Sequence, residues 1–115
     1  MNESINERER AQIELCKMWI NKFTIPTVNF RHNRSSYNYK HYVERHYYTY
    51  ISNHSFLVAV KELKLDRLPD KDISQYCYFK FRIVPTYIKI PKYDGWDLPE
   101  SILKMELSEK NSDND

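Results

Sequence analysis

Apolar residues recur at helical spacing in the first half of the chain and at every second position later on. Ile13, Cys16, Ile20 and Phe23, with Leu15 and Trp19 widening the stripe, predict a helix over residues 5–22. Ser4 and Glu7 have the spacing of a capping box at its start, and Pro26 stops it. The alternating, β-prone Thr27-Val28-Asn29-Phe30 predicts one short strand. Ser35 or Ser36 caps a second helix reaching about Thr49, with Tyr39, Val43, Tyr47 and Tyr50 on its buried side and Lys40, His41 and Arg45 on the other. Ser52 caps a third, to about Leu65, with Phe56, Val60 and Leu63 on one face and Ala59 letting a neighbour approach; Pro69 and Asp70 end it.

Beyond that loop the period becomes 2. Cys77, Phe79, Phe81 and Ile83 alternate with Tyr78, Lys80 and Arg82, which predicts a strand over residues 76–84 with one buried face. Residues 87–90 repeat the pattern beyond Pro85, either as the second arm of a tight hairpin or as the continuation of one kinked strand. The Asp94-Gly95 turn, Pro99 and the stripe Ile102, Leu103, Leu107 predict a last small helix, and residues 109–115 read as a disordered acidic tail. The expected architecture is a single α+β domain over residues 1–108. It has a three-helix core, a helix-turn-helix-like pair meeting at Tyr50-Ile51-Ser52-Asn53, and a small antiparallel β-hairpin, in winged-helix-like order.

Charge adds what periodicity cannot. The net charge of +2 hides a split: residues 31–93 carry twelve bases against five acids, while residues 94–115 carry two against seven. Such polarity favours an anionic partner. The richest stretch is residues 31–50, which hold four Lys or Arg, three of the four histidines, six of the ten tyrosines and one acid, Glu44. Tyr39, Tyr47 and Tyr50 belong to the core or its rim, whereas Tyr37 and Tyr42, flanked by Arg34, Lys40 and Arg45, have the chemistry of platforms that stack unpaired bases. The candidate binding patch is Arg31, Arg34, Tyr37, Lys40, His41 and Arg45. It extends to the outward strand residues Lys80 and Arg82 if that strand and the second helix are neighbours.

Several chemistries recede. With one glycine, Gly95, the chain has no phosphate-cradling loop and no dinucleotide fingerprint. His41 and His46 have finger-like spacing, but residues five apart on a helix point about 140 degrees away from each other, so no metal or other cofactor is expected. His41, Tyr37 and Arg45 are the residue types of a metal-free ribonuclease, yet nothing in the sequence places them around one point; no elbow motif surrounds Ser36, Ser52 or Cys77. The chain reads as non-enzymatic. Cys16 and Cys77 read as buried free thiols, no apolar run approaches the roughly 20 residues of a membrane span, and a cytoplasmic location in a bacterial host cell is expected.

Ser35-Ser36-Tyr37, Lys40-His41, Val43-Glu44, Tyr50-Ile51-Ser52-Asn53, Phe56, Ala59 and Cys77-Tyr78-Phe79 together resemble a pattern of small uncharacterised proteins of phages and mobile elements. There it runs approximately S-Y-x-x-K-H-x-V-E, then Y-x-S-N-x-x-F, then a short Y-F strand, and the likeness spans about residues 19–82. His54 stands where that pattern has glycine, and Val58 and Val60 where it has alanines, which implies looser packing of the third helix. The resemblance carries over no catalytic residue. It implies an inhibitor of host defence, of the anti-CRISPR type, that engages guide RNA or the RNA-binding channel of an RNA-guided nuclease, as monomer or homodimer. The alternative is a winged-helix-like transcriptional regulator that binds duplex DNA.

Overall fold

A computed structural model describes residues 5–112, of which 110–112 by backbone alone. Ser4, the expected cap of the first helix, lies outside the described residues. Helix α1 (Glu7–Phe23) is capped instead by Asn6, whose side chain accepts a hydrogen bond from the Glu9 backbone at 2.8 Å. Glu7 and Glu9 in its first turn suit the positive end of the helix dipole. Its stripe of Ala11, Ile13, Leu15, Cys16, Trp19 and Ile20 is buried as the spacing required.

No loop separates α1 from strand β1 (Thr24–Arg31). The residue before a proline avoids helical geometry, so Ile25 is already extended, and Thr24 closes the helix by donating its hydroxyl to the Ile20 carbonyl at 2.7 Å. The strand was expected over Thr27-Val28-Asn29-Phe30, but the paired residues are mainly Thr24, Ile25 and Pro26, with Arg31 rejoining after a bulge that leaves Val28 87% exposed. Pro26 is tolerated because β1 is an edge strand.

Helix α2 (Ser36–Tyr47) buries Ser36, Tyr39, Val43 and Tyr47. Tyr50, expected beside them, is 52% exposed. The helix stops at Tyr47 and Tyr48 turns left-handed (φ 55, ψ 50), so the helical period ends there and Ile51 takes the buried place. Helix α3 (Asn53–Glu62) starts on Ser52, whose hydroxyl accepts from the Ser55 backbone at 3.0 Å, and it buries Phe56, Ala59 and Val60 against α1.

The sheet corrects the expected hairpin. Strand β3 (Cys77–Ile83) has the predicted alternation, but its hairpin partner is β2 (Arg67–Pro69), which precedes it. Three residues are too few for a readable period. With β1 on its other side, in the order β1-β3-β2, β3 has no free edge for residues 87–90. Those residues form no strand: the Val84 backbone donates to the Phe23 carbonyl at 2.8 Å, Pro85 turns the chain, and Ile88 and Ile90 face solvent.

Helix α4 (Pro99–Ser112) packs on α1 and runs four residues into the segment read as an acidic tail, of which residues 113–115 lie outside the description. Ile102 is fully buried, while Leu107 is exposed and Glu106 turns inward, bonded to the Tyr93 hydroxyl and to Lys92 Nζ at 2.7 Å. Among the described residues the fold is α+β, with four helices and a small three-stranded antiparallel sheet. Its centre is aromatic: Tyr39 stacks on Phe56 at 5.8 Å and meets Phe79, Phe81 and the edge of Trp19. Both cysteines are buried free thiols.

Candidate nucleic-acid interface

Burying Tyr39, Val43 and Tyr47 turns the opposite stripe of α2 outward, from Tyr37 to the left-handed Tyr48. At 1.5 Å per residue that stripe is roughly 16 Å long. The irregular segment 84–98 lies alongside it, held to the end of α2 by three hydrogen bonds. Lys92 N donates to His46 O at 2.8 Å, Asp97 N to Tyr48 O at 3.3 Å, and the Thr49 hydroxyl to Asp97 O at 2.6 Å. Helix and segment enclose two adjoining cavities. The larger, about 500 Å³, is lined by Tyr37, Asn38, His41, Tyr42, Arg45 and Lys89. The smaller, about 240 Å³, is lined by His41, Glu44, Arg45, Tyr48, Pro91 and Trp96.

Cations dominate the larger cavity. Arg34 donates from Nε to the Tyr42 hydroxyl at 3.3 Å with its guanidinium 5.5 Å from the ring centre, and Lys89 Nζ lies 4.3 Å from the same centre. Partial burial acts to raise the Tyr42 pKa, but hydrogen bonding and charge from Lys89 and Arg34 outweigh it, and the phenol titrates below its usual 10. Arg34, Arg45 and Lys89 form no ion pair among the described residues. Elsewhere, Arg10 and Lys17 share Glu62, and Lys92 is held by Glu106 and Glu109.

The sequence-derived patch divides in the structure. Arg34, Tyr37, His41 and Arg45 come together along the groove. Arg31 stands at the same end, where it and Arg34 oppose the burial that pushes the Tyr39 hydroxyl up to about 12. Lys40 is turned inward: its side chain is 12% exposed, with Nζ donating to Ile51 O at 3.2 Å and to Glu44 at 3.5 Å. His41 is fixed by Nδ1 at 2.7 Å from the other Glu44 oxygen, which leaves Nε2 facing away from that carboxylate.

Lys80 and Arg82 do not join them. Phe79 and Phe81 point at Tyr39 of α2, so the alternating Lys80 and Arg82 occupy the opposite face of the sheet. There Lys80 sits over the Phe30 ring and 3.4 Å from Asp66, and Arg82 lies opposite Ile25.

Sequence reasoning missed Lys89, Tyr48 and Trp96. Lys89 was assigned to a strand, and Tyr48 was one tyrosine among six. Trp96 carried a usable signal: a tryptophan beside the only glycine, between Pro91 and Pro99, belongs to no apolar period. It is 60% exposed and meets Tyr48 edge-on at 5.9 Å. His46, partly exposed, packs its ring between Phe23 and Tyr47.

No protein-family model matches the chain, and no curated protein or solved structure is significantly similar to it. Among the described residues no helix is long and apolar enough to cross a membrane.

Proposed function

We propose that this is a non-catalytic binding protein of the phage type that inhibits an RNA-guided nuclease of host defence. It engages the guide RNA, or the channel that holds it, through the α2 groove. One observation carries the reading: Arg45 and Lys89 line a single concavity with Arg34 bonded to its Tyr42 wall, none of the three with a carboxylate partner among the described residues and all beside exposed rings, the combination that binds phosphates and unstacked bases. Cations paired with a carboxylate would have to give up that charge first; Arg34 and Lys89 are held instead by the neutral Tyr42 ring and hydroxyl.

The test is fluorescence anisotropy with an unpaired RNA oligonucleotide at several salt concentrations, beside nuclease cleavage assays at near-stoichiometric protein. Binding that weakens steeply with salt, and that is lost when Arg34, Arg45 and Lys89 are changed together to Ala, supports the reading. Full binding and inhibition by that triple variant would overturn it.

A second reading, a winged-helix-like regulator of transcription, is favoured by the element order α1-β1-α2-α3-β2-β3 and the sheet order β1-β3-β2. Against it, α3 would be the recognition helix, and its exposed His54 and Lys61 come with no arginine, the commonest reader of base edges. Tighter binding to a duplex from the protein's own promoter than to unpaired RNA would select this alternative.

A further inference from the structure

The two adjoining cavities differ in kind, and each matches one part of a nucleotide. The smaller is walled by Trp96, Tyr48 and Pro91, and its 240 Å³ falls below the ~300–1,000 Å³ of sites for drug-sized ligands, a size for one ring system. The larger is cationic, with Arg45 and Lys89 in its wall and Arg34 bonded to the Tyr42 hydroxyl. His41 and Arg45 line both, so a ligand can occupy the two at once.

Tyr48 supplies an independent observation. It is one of two non-glycine residues at positive φ among the described residues, and its position, just past a helix, is where glycine is ordinarily found. A bulky ring held there costs about 1–2 kcal/mol relative to relaxed backbone. That ring is not core: Tyr48 is 36% exposed and lines the smaller cavity. Its neighbours hold it there, since both the Tyr48 carbonyl and the Thr49 hydroxyl bond to Asp97, the residue after Trp96. Strain kept at a solvent-facing aromatic, with a second exposed ring pinned against it, is the arrangement a ligand clamp requires.

We infer that the groove binds a single unpaired nucleotide in two subsites: the base between Trp96, Tyr48 and Pro91, and the phosphate at Tyr42 among Arg34, Arg45 and Lys89. His41 stands between them, with Nε2 available as a hydrogen-bonding atom to base or ribose. This rests on the nucleic-acid reading of the groove and adds which part of the ligand goes where.

The experiment follows the indole N–H signals by NMR while adenosine 5′-monophosphate, adenosine or inorganic phosphate is added. The chain has two tryptophans, of which Trp19 is fully buried and Trp96 exposed, so the two respond separately. Expected is a shift of the Trp96 signal with the nucleotide, at an affinity about tenfold or more above that of adenosine or phosphate alone. Tyr48→Gly removes a ring and relieves the backbone, so it is expected to keep or raise Tm while weakening nucleotide binding about tenfold; Trp96→Ala should weaken it likewise.

Equal affinity for phosphate and nucleotide, no binding of the nucleotide, or unchanged binding in Tyr48→Gly and Trp96→Ala would each overturn the two-subsite assignment. If the RNA oligonucleotide still binds through Arg34, Arg45 and Lys89 in those cases, the proposed function stands without it. Nucleotide binding at Trp96 with no binding of RNA would instead sustain the subsites and remove the proposed function.

Discussion

Glu44 and His41 form a fixed pair: the carboxylate holds His41 Nδ1 at 2.7 Å, and its second oxygen accepts from the Ile51 backbone at 3.0 Å. One side chain, 12% exposed, therefore orients a groove residue and closes the turn between α2 and α3. Glu44→Ala would strand the Ile51 N–H and leave the inward Lys40 without its carboxylate, at a cost of about 2–3 kcal/mol. Glu44→Gln keeps a carbonyl acceptor and should cost about 1 kcal/mol. Urea denaturation of the three proteins checks the order; equal midpoints would show that the turn does not depend on this carboxylate.

The division of the basic residues between two faces gives a prediction about binding. Lys80 lies beside Asp66 on the face of the sheet turned away from α2, so Lys80→Ala with Arg82→Ala should change RNA affinity less than about twofold at physiological salt. Arg45→Ala with Lys89→Ala removes two unpaired groove cations and should lower the slope of log affinity against log salt by about 1–2. Anisotropy titrations at three salt concentrations distinguish the pairs. Similar losses in both would mean that the sheet face binds too.

How much of this was legible depended on element length and on whether a residue's neighbours are close in sequence. The helices α1, α2 and α3 could be read because Ile13, Cys16 and Ile20, or Tyr39, Val43 and Tyr47, repeat over enough turns to exceed the noise of a short window. The strand β3 showed itself through Cys77, Phe79 and Phe81. Its partner β2 did not, because Arg67, Leu68 and Pro69 are exposed and too few to alternate.

The groove was half legible for the same reason. Tyr37, His41 and Arg45 share one face of α2, so helical spacing alone brings them together, and Arg34, just ahead of the helix, joins them through the Tyr42 hydroxyl. Lys89 and Trp96 reach it through bonds to His46 and Tyr48 some 46 to 49 residues earlier, which no local pattern encodes. Lys40 misled because its removal from solvent depends on the Ile51 carbonyl, presented only after the chain turns at Tyr48.

Helix α4 is joined to the body through Ile102, fully buried, and through Lys92 and Tyr93 on Glu106. Ile102→Ala should destabilise by about 2–4 kcal/mol through lost burial and a residual cavity. The loss should appear in a single cooperative transition if α4 folds with the rest. Thermal unfolding followed by far-UV circular dichroism and by tyrosine absorbance tests this. A variant that keeps the parental midpoint would mean that α4 adds little to the core.

His46 contributes to the response to acid. Its ring is packed between Phe23 at 4.9 Å and Tyr47 at 4.6 Å, with Nδ1 buried and without a partner among the described residues. Burial foremost, and the charges of Lys92 and Lys22, lower its pKa from 6.5 to about 4, against the opposing pull of Glu106. Because the folded-state value lies below the unfolded one, the two states are equally unprotonated above pH 6.5, and nothing is lost there. Between pH 6.5 and 4 the unfolded chain takes up a proton that the folded protein refuses, so stability falls as pH falls through this window and levels off below it. Discounted for the part of the ring that solvent reaches, the loss is about 1–2 kcal/mol. His46→Phe keeps the aromatic packing and cannot titrate, so its stability should decline less from pH 7 to 4.5 than that of the parent, by the same amount. Urea midpoints at pH 7, 5.5 and 4.5 measure the difference, which reports His46 together with its coupling to Glu106, the remaining carboxylates being common to both proteins. Parallel profiles would place the acid response of the fold elsewhere.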